Sequence, residues 1–312
     1  MIKKCKFDCV LSIQYSVKKL VGYSILILLI LGVGLFVADY FVKKKVKTKL
    51  AEQSLISYKE VHINTFLGDL NLEGVQFDNG HQNVEVKELG VNVDILAYLQ
   101  QDEIKIKSVN AENVNLDLTQ STENENGSSS IDFDTLNINE VHLKNVKLSL
   151  SNKSKELFKA SNLNLEAKDI SWPLKSNYQW IKNSTLEVDA DQLRYDLGDL
   201  HFLKIGNFTF GDNSLSLTDF TIQPKYSKSD YVNHIKTEKD LINLKTSSLK
   251  ITDFDLEKQE DKKLLLHIPQ IQINNSDVNI YRDKSIPDDR SFKPLYSQAL
   301  RELGFQLQVD SI

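Results

Sequence analysis

The chain has 312 residues, and its 38 lysines and arginines against 43 aspartates and glutamates give a formal net charge of −5. That balance offers no electrostatic case for nucleic acid as a partner. At 41% hydrophobic and 26% charged residues, wholesale disorder and a protein of many membrane spans are both excluded.

Cys5 and Cys9 are the only cysteines and both precede the first hydrophobic segment, so a disulfide framework is excluded. The cysteine-free remainder is compatible with an oxidising compartment. Residues 1–19 hold five lysines and form a short tail ahead of the first hydrophobic segment. From Leu20 to Ala38 the chain carries no charge and is long enough as a helix to cross the ~30 Å hydrocarbon layer. A transmembrane helix is expected over 20–41. It is read as uncleaved, because Leu35-Phe36-Val37 puts large residues where a signal peptidase needs small ones. Lysines are equally numerous on both flanks, so charge does not set the orientation. Residues 42–57 read as a juxtamembrane helix with Val46 and Leu50 on one side.

From Tyr58 onward apolar and polar residues alternate, which predicts β-structure through residue 312. The alternation slips at regular places. Ile104, Ile106, Val109, Ala111, Val114, Leu116 and Leu118 set a series of intervals that Leu136, Ile138, Val141, Leu143, Val146, Leu148 and Leu150 repeat. Leu266, Ile268, Ile271, Ile273, Ser276, Val278 and Ile280 repeat it again, with a serine in one apolar slot. Shorter copies include Leu70/Leu72/Val75/Phe77 and Leu215/Leu217/Phe220/Ile222. Such an internal repeat marks recurring supersecondary units. A one-residue slip would turn every later side chain to the opposite face. Gly74, Asn113, Asn145, Asn207, Asp219, Asp253 and Asn275 sit just before the slipped residue, and these types accept a left-handed backbone. A β-bulge or a two-residue hairpin would then restore the face, and the sequence does not choose between them.

Thr119 to Ser130 reads as a flexible loop, 227–245 as irregular, and Lys293 to Leu303 as a short amphipathic helix between Pro294 and Gly304. The helices are too few to cover the apolar face of such a sheet. It must therefore curl on itself, as an open groove or as a closed β-sandwich. The candidate lining residues are Ile104, Ile106, Val114, Leu116, Leu118, Leu136, Ile138, Val146, Leu148, Leu150, Leu215, Leu217, Ile271, Ile273, Val278 and Ile280. Asn115, Asp117, Lys147 and Ser149 are expected to face water.

Catalytic, nucleotide-binding and cofactor signatures are missing, and His62, His81, His142, His201, His234 and His267 lack metal-ligand spacing. No enzyme, cofactor or metal is expected. Tyr281-Arg282-Asp283 with Asp288-Asp289-Arg290 reads as a solvated charged loop, and Trp172 and Trp180 as packed loop aromatics.

The segments LNLEGVQF (Leu70 to Phe77) and VEVKELGVNVDILAYLQQDEIKIKSVNAENVNLDL (Val84 to Leu118), behind a hydrophobic anchor, resemble the amino-terminal module of AsmA-like proteins of Gram-negative envelopes. The resemblance spans about Tyr58 to Leu150. It implies a mainly-β, taco-shaped sheet in the periplasm, tied to the inner membrane by one helix with a cytoplasmic amino terminus. It further implies that the groove carries phospholipid acyl chains and contributes to outer-membrane biogenesis. The alternative is a structural or assembly module that binds an envelope protein at a sheet edge. At the carboxyl end, Phe305, Leu307, Val309 and Ile312 repeat the spacing of Leu264, Leu266, Ile268 and Ile271, so the sheet is expected to continue past Ile312.

Overall fold

The computed structural model describes residues 43–44, 47–48, 55–94, 105–120, 136–152, 155–172, 185–258, 264–291, 303 and 305–312. The candidate span Leu20–Ala38, the 293–302 segment, Ile104 and Trp180 lie outside them. Among the described residues no helix is long and apolar enough to cross a membrane.

The protein is mainly β. Its strands are β1 (Ile56–Ser57), β2 (Glu60–Asn64), β3 (Asp69–Asp78), β4 (Gln82–Val93), β5 (Lys105–Gln120), β6 (Leu136–Asn152), β7 (Lys155–Trp172) and β8 (Leu186–Asp196). They continue as β9 (His201–Gly211), β10 (Ser214–Pro224), β11 (Leu241–Thr252), β12 (Asp255–Lys258), β13 (Leu264–Ile268), β14 (Gln270–Tyr281) and β15 (Phe305–Val309). Twelve of these form one sheet in the order β1-β3-β4-β5-β6-β7-β8-β9-β10-β11-β14, with β2 also on β3. Chain order and spatial order nearly coincide, as a meander of short turns dictates. Asp212 and Asn213, both at positive φ, close the β9–β10 hairpin in the way two-residue turns require.

Several expectations are corrected. The sheet is not closed, so the sandwich alternative fails. Nor is it purely antiparallel: β5 and β6 pair in parallel, with Leu116 opposite Leu148 and Leu118 opposite Leu150. A parallel pair needs a crossover rather than a tight turn, and the intervening residues 121–135 lie outside the described residues. The expected loop begins two positions late, since Thr119 and Gln120 still belong to β5. At the amino end Lys43, Lys44, Lys47 and Thr48 are helical, but Ile56 and Ser57 are already paired with Phe77 and Gln76, so the helix expected over 42–57 ends earlier. The 227–245 segment holds a 3-10 turn at Tyr231–His234 and the first residues of β11.

The carboxyl-terminal repeat is real but belongs to a second sheet. β15 lies parallel to β13, pairing Leu264 with Phe305, Leu266 with Leu307 and Ile268 with Val309. This small sheet has the order β12-β13-β15, and β15 therefore does not extend the large one. Along its hydrogen-bonding direction the large sheet has eleven strands in file and spans about 50 Å at ~4.8 Å per step. That is shorter than the repeat count alone suggests.

Candidate functional site: the apolar face and its crease

The slips resolve into one feature crossing the sheet. Gly74, Asn113, Asn145, Gln192, Asp219 and Asn275 all have positive φ, between 51° and 60°. Each is the third residue of an apolar-x-x-apolar step: Leu72 to Val75, Ala111 to Val114, Leu143 to Val146, Ala190 to Leu193, Leu217 to Phe220, Ile273 to Ser276. The residues facing them on antiparallel neighbours make the same step with an ordinary backbone, whereas Asn113 and Asn145 face each other across the parallel β5–β6 pair. Glu73 pairs with Glu88 and Val75 with Val86, on either side of Gly74 and Lys87. Asp191 pairs with Asn207 and Leu193 with Ile205, on either side of Gln192 and Gly206.

Most of these slips are therefore neither bulges nor hairpins. Both strands carry an interval of three at the same register, and the sheet creases without gaining a residue on either side. Between β6 and β7 the ladder does shift register, and the crease steps sideways there. The left-handed residues of this crease occur on strands running one way, β3, β5, β6, β8, β10 and β14, while Asp169, φ 58°, sits at a separate step, Ala167 to Ile170, on the oppositely running β7. That explains the one misplaced candidate. Asn207 lies on β9, which runs the other way, and its strand meets Asp219 through Gly206. A Cβ on Gly206 would lie 2.9 Å from the Asp219 Cβ. Asp253, φ 57°, belongs instead to the switch from β11 to β12.

Because every strand creases together, one apolar row runs unbroken along this side, although just past the crease Thr246 and Ser276 fill two apolar slots and hydrogen-bond to each other at 3.0 Å. Val61, Leu72, Leu89, Ala111, Leu143, Leu165, Val188, Phe210, Leu215, Ile251 and Ile271 are successive cross-strand partners from β2 to β14. A second apolar row joins Leu118, Leu150, Phe158, Tyr195, Leu203, Ile222, Leu244 and Val278. On the other face the crease is laced by polar side chains. Asn145 Nδ2 donates to Asn113 Oδ1 at 3.3 Å, Asn162 Nδ2 and Asn207 Nδ2 both donate to Asp191 at 3.0 and 2.6 Å, and Thr218 Oγ1 donates to Asn207 Oδ1 at 3.0 Å.

Burial grades along the apolar face. Leu72, Val75, Val86, Ala111, Val114 and Val146 form a buried cluster, with Ile56, Tyr58 and Val84 against it. Of the expected lining residues, Val114, Val146 and Leu217 are buried, while Ile106, Leu116, Leu118, Ile138, Leu148, Leu150, Leu215 and Ile271 are half-buried. Leu136 holds its place in β6 opposite Trp172. Ile273, Val278 and Ile280, on the last strand, are 49%, 55% and 61% exposed. Asn115, Asp117 and Lys147 are exposed as expected, and Ser149 is half-buried. Sequence reasoning missed Gln192, whose amide is not a usual left-handed residue, and the small buried Ala160, Ala167 and Ala190.

The polar face holds several depressions, two of them wider than the others described. One, of 610 Å³, is lined by Glu85, Asp117, Lys147, Glu156 and Lys159 among others, and the second, of 560 Å³, by Glu156, Lys159, Arg194 and Lys204. Charged rims of this kind suit water and ions, not acyl chains.

One end of the sheet is sealed by residues 225–240. The Tyr231 side chain is fully buried with Leu200 and Leu241; its hydroxyl accepts a 2.6 Å hydrogen bond from the Asp283 N–H, and its ring meets Tyr281 edge-on. Arg282, in the expected charged loop, makes two 2.6 Å bonds to Asp240 and reaches Glu238 at 3.2 Å. These ion pairs clamp a loop, within which the Ser285 hydroxyl donates to Asp283 Oδ1 at 2.7 Å. Among the described histidines, His62 lies with Glu60 and Glu73 on the exposed amino-terminal edge, while His201 Nε2 accepts the Ile242 N–H at 2.8 Å.

No protein-family model matches the chain, and no curated protein matches it.

Proposed function

We propose that the protein is a membrane-anchored, non-enzymatic carrier of acyl lipids in the cell envelope. One observation carries this reading: an apolar row that passes without a polar break through every strand from β2 to β14 of an open sheet. Sealed cores need apolar patches, but an uninterrupted apolar track across about 50 Å of open sheet suits a long flexible hydrocarbon. In this reading the sheet curls toward its apolar side as a taco-like groove. No bond is made or broken. Transfer of acyl chains from water to the groove gains about 0.8 kcal/mol per methylene.

The charge-free segment Leu20–Ala38 supplies the single inner-membrane anchor, with residues 1–19 cytoplasmic and the sheet periplasmic. The resemblance of Leu70–Phe77 and Val84–Leu118 to AsmA-like proteins supports the same placement and a part in outer-membrane biogenesis.

The test is photocrosslinking in cells with the full chain. A probe at Leu148, on the apolar face, is expected to capture phospholipid, and one at Lys147, on the polar face, is expected to capture none. Capture of protein alone at Leu148, Leu116 and Leu217 would replace the carrier reading with that of a structural module.

A further inference from the structure

The large sheet ends on β14; its outer edge is met at the start of the strand, where the Ile271 N–H donates to the Ser311 carbonyl at 3.0 Å, while among the described residues nothing pairs with that edge over 273–281. The strand is twelve residues long and contains no lysine or proline; its only charge is Asp277. It therefore lacks the features that usually guard an edge. Ile273, Val278 and Ile280 are about half exposed or more, while their partners Leu249, Leu244 and Ile242 on β11 are half-buried.

An interior strand shows what β14 lacks. β10 also carries a left-handed crease residue, Asp219, and it is flanked on both sides by antiparallel strands whose own crease residues, Gly206 and Ser247, are ordinary. The crease thus dictates the missing neighbour. It must step apolar-x-x-apolar, and in the antiparallel direction, which all the other neighbouring pairs of the large sheet take, it carries no left-handed residue; only the parallel β5–β6 pair sets two left-handed residues side by side. Charge adds a second condition. On the polar face Lys159, Arg194, Lys204, Thr221, Lys245 and Asp277 are successive cross-strand partners, so a cationic row ends on an acid that faces the open side.

We infer that the outer edge of β14 receives a β-strand of a second protein, antiparallel, with the creased apolar spacing and a lysine or arginine opposite Asp277. A second copy of this chain fits less well. Two β14 strands would place left-handed residues opposite each other in an antiparallel pair, which no antiparallel pair of the crease does. The chain's other edge, β1 and β2, would bring Ser57 rather than a cation to Asp277, by analogy with its pairing to Gln76 on β3. The inference does not depend on what fills the apolar face.

The probe is a labelled peptide of residues Leu241–Thr252, LINLKTSSLKIT, which is itself a creased antiparallel partner of β14 with Lys245 opposite Asp277. It is expected to bind the full-length protein saturably and to slow hydrogen exchange in β14. A peptide lacking Ser248, which restores strict alternation, should bind at least tenfold more weakly, and Lys245→Glu in the peptide should weaken it several-fold. Val278→Lys with Ile280→Lys in the protein should abolish binding while leaving exchange in β5–β7 unchanged, which reports that the fold is intact. Equal binding of the creased and uncreased peptides, or no protection of β14, overturns the inference. Self-association of the full chain that Ile280→Lys disrupts also overturns it, in favour of a second copy.

Discussion

Protonating His201 would remove the acceptor that holds the Ile242 N–H at the start of β11. Burial, helped by the positive charge of Lys225, lowers its pKa from the ordinary 6.5. The unfolded chain then binds the proton more readily, so the stabilisation is complete above about pH 6.5 and fades as pH falls through the lower folded value. Denaturant midpoints should drop between pH 7.5 and 5.5, and His201→Gln should flatten that slope. Asp196 acts in a different window. Burial alone would raise its pKa, but hydrogen bonds from Lys225, at 2.7 Å, and from Lys155 outweigh this and hold it below the ordinary 3.8. Its contribution is present at neutral pH and lost only in strong acid. Asp196→Asn should cost about 3 kcal/mol in equilibrium unfolding, because the Lys225 side chain, 10% exposed, keeps its charge without its closest partner.

At the scale of the strand, the crease turns a left-handed backbone into a means of keeping one face apolar. A β-branched side chain in that conformation costs roughly 1–2 kcal/mol, and glycine costs nothing sterically. Asn113→Val should therefore lower stability by that amount, whereas Asn113→Gly should change it little apart from the lost bond with Asn145, both read from thermal unfolding. This feature shows how much the sequence held. The three-residue intervals and the glycine, asparagine and aspartate before them located the crease on five of its six left-handed positions. They also carried the register of two parallel pairs, since the repeats aligned Leu116 with Leu148 and Leu264 with Phe305. What the intervals could not carry was strand direction. A crease step looks the same on strands of either direction, so Asn207 was placed on the left-handed list although Gly206 occupies its crease position. The parallel β5–β6 pairing and the departure of β12, β13 and β15 into another sheet depend on how the chain returns, which spacing within strands does not record. Tyr231 was invisible for a similar reason: it lies in a polar, irregular segment, and its burial needs Leu200 and Tyr281, far away in the chain, as well as its neighbours Tyr226 and Ile235.

At the scale of the whole molecule, the strands of an open meander touch mainly their neighbours, so stability propagates from strand to strand as in repeat proteins rather than being pooled in one centre. The buried cluster of Val75, Val86, Val114 and Val146 makes β3–β6 the firm part, and β14 beyond Ile271, with its exposed apolar residues and its outer edge bare over 273–281 among the described residues, the soft one. Hydrogen exchange should follow that gradient, with amides of β4, β5 and β6 opening at free energies near the global value and the outward-facing amides of β14 exchanging early. Val114→Asp would bury a carboxylate within the firm part and should unfold β3–β6, whereas Val278→Asp, on a residue 55% exposed, should leave their protection within about 0.5 kcal/mol of the parent. If Val278→Asp instead lowered protection equally in all strands, the sheet would be a single cooperative unit, and its last strand would be too tightly coupled to the rest to act as a separately yielding edge.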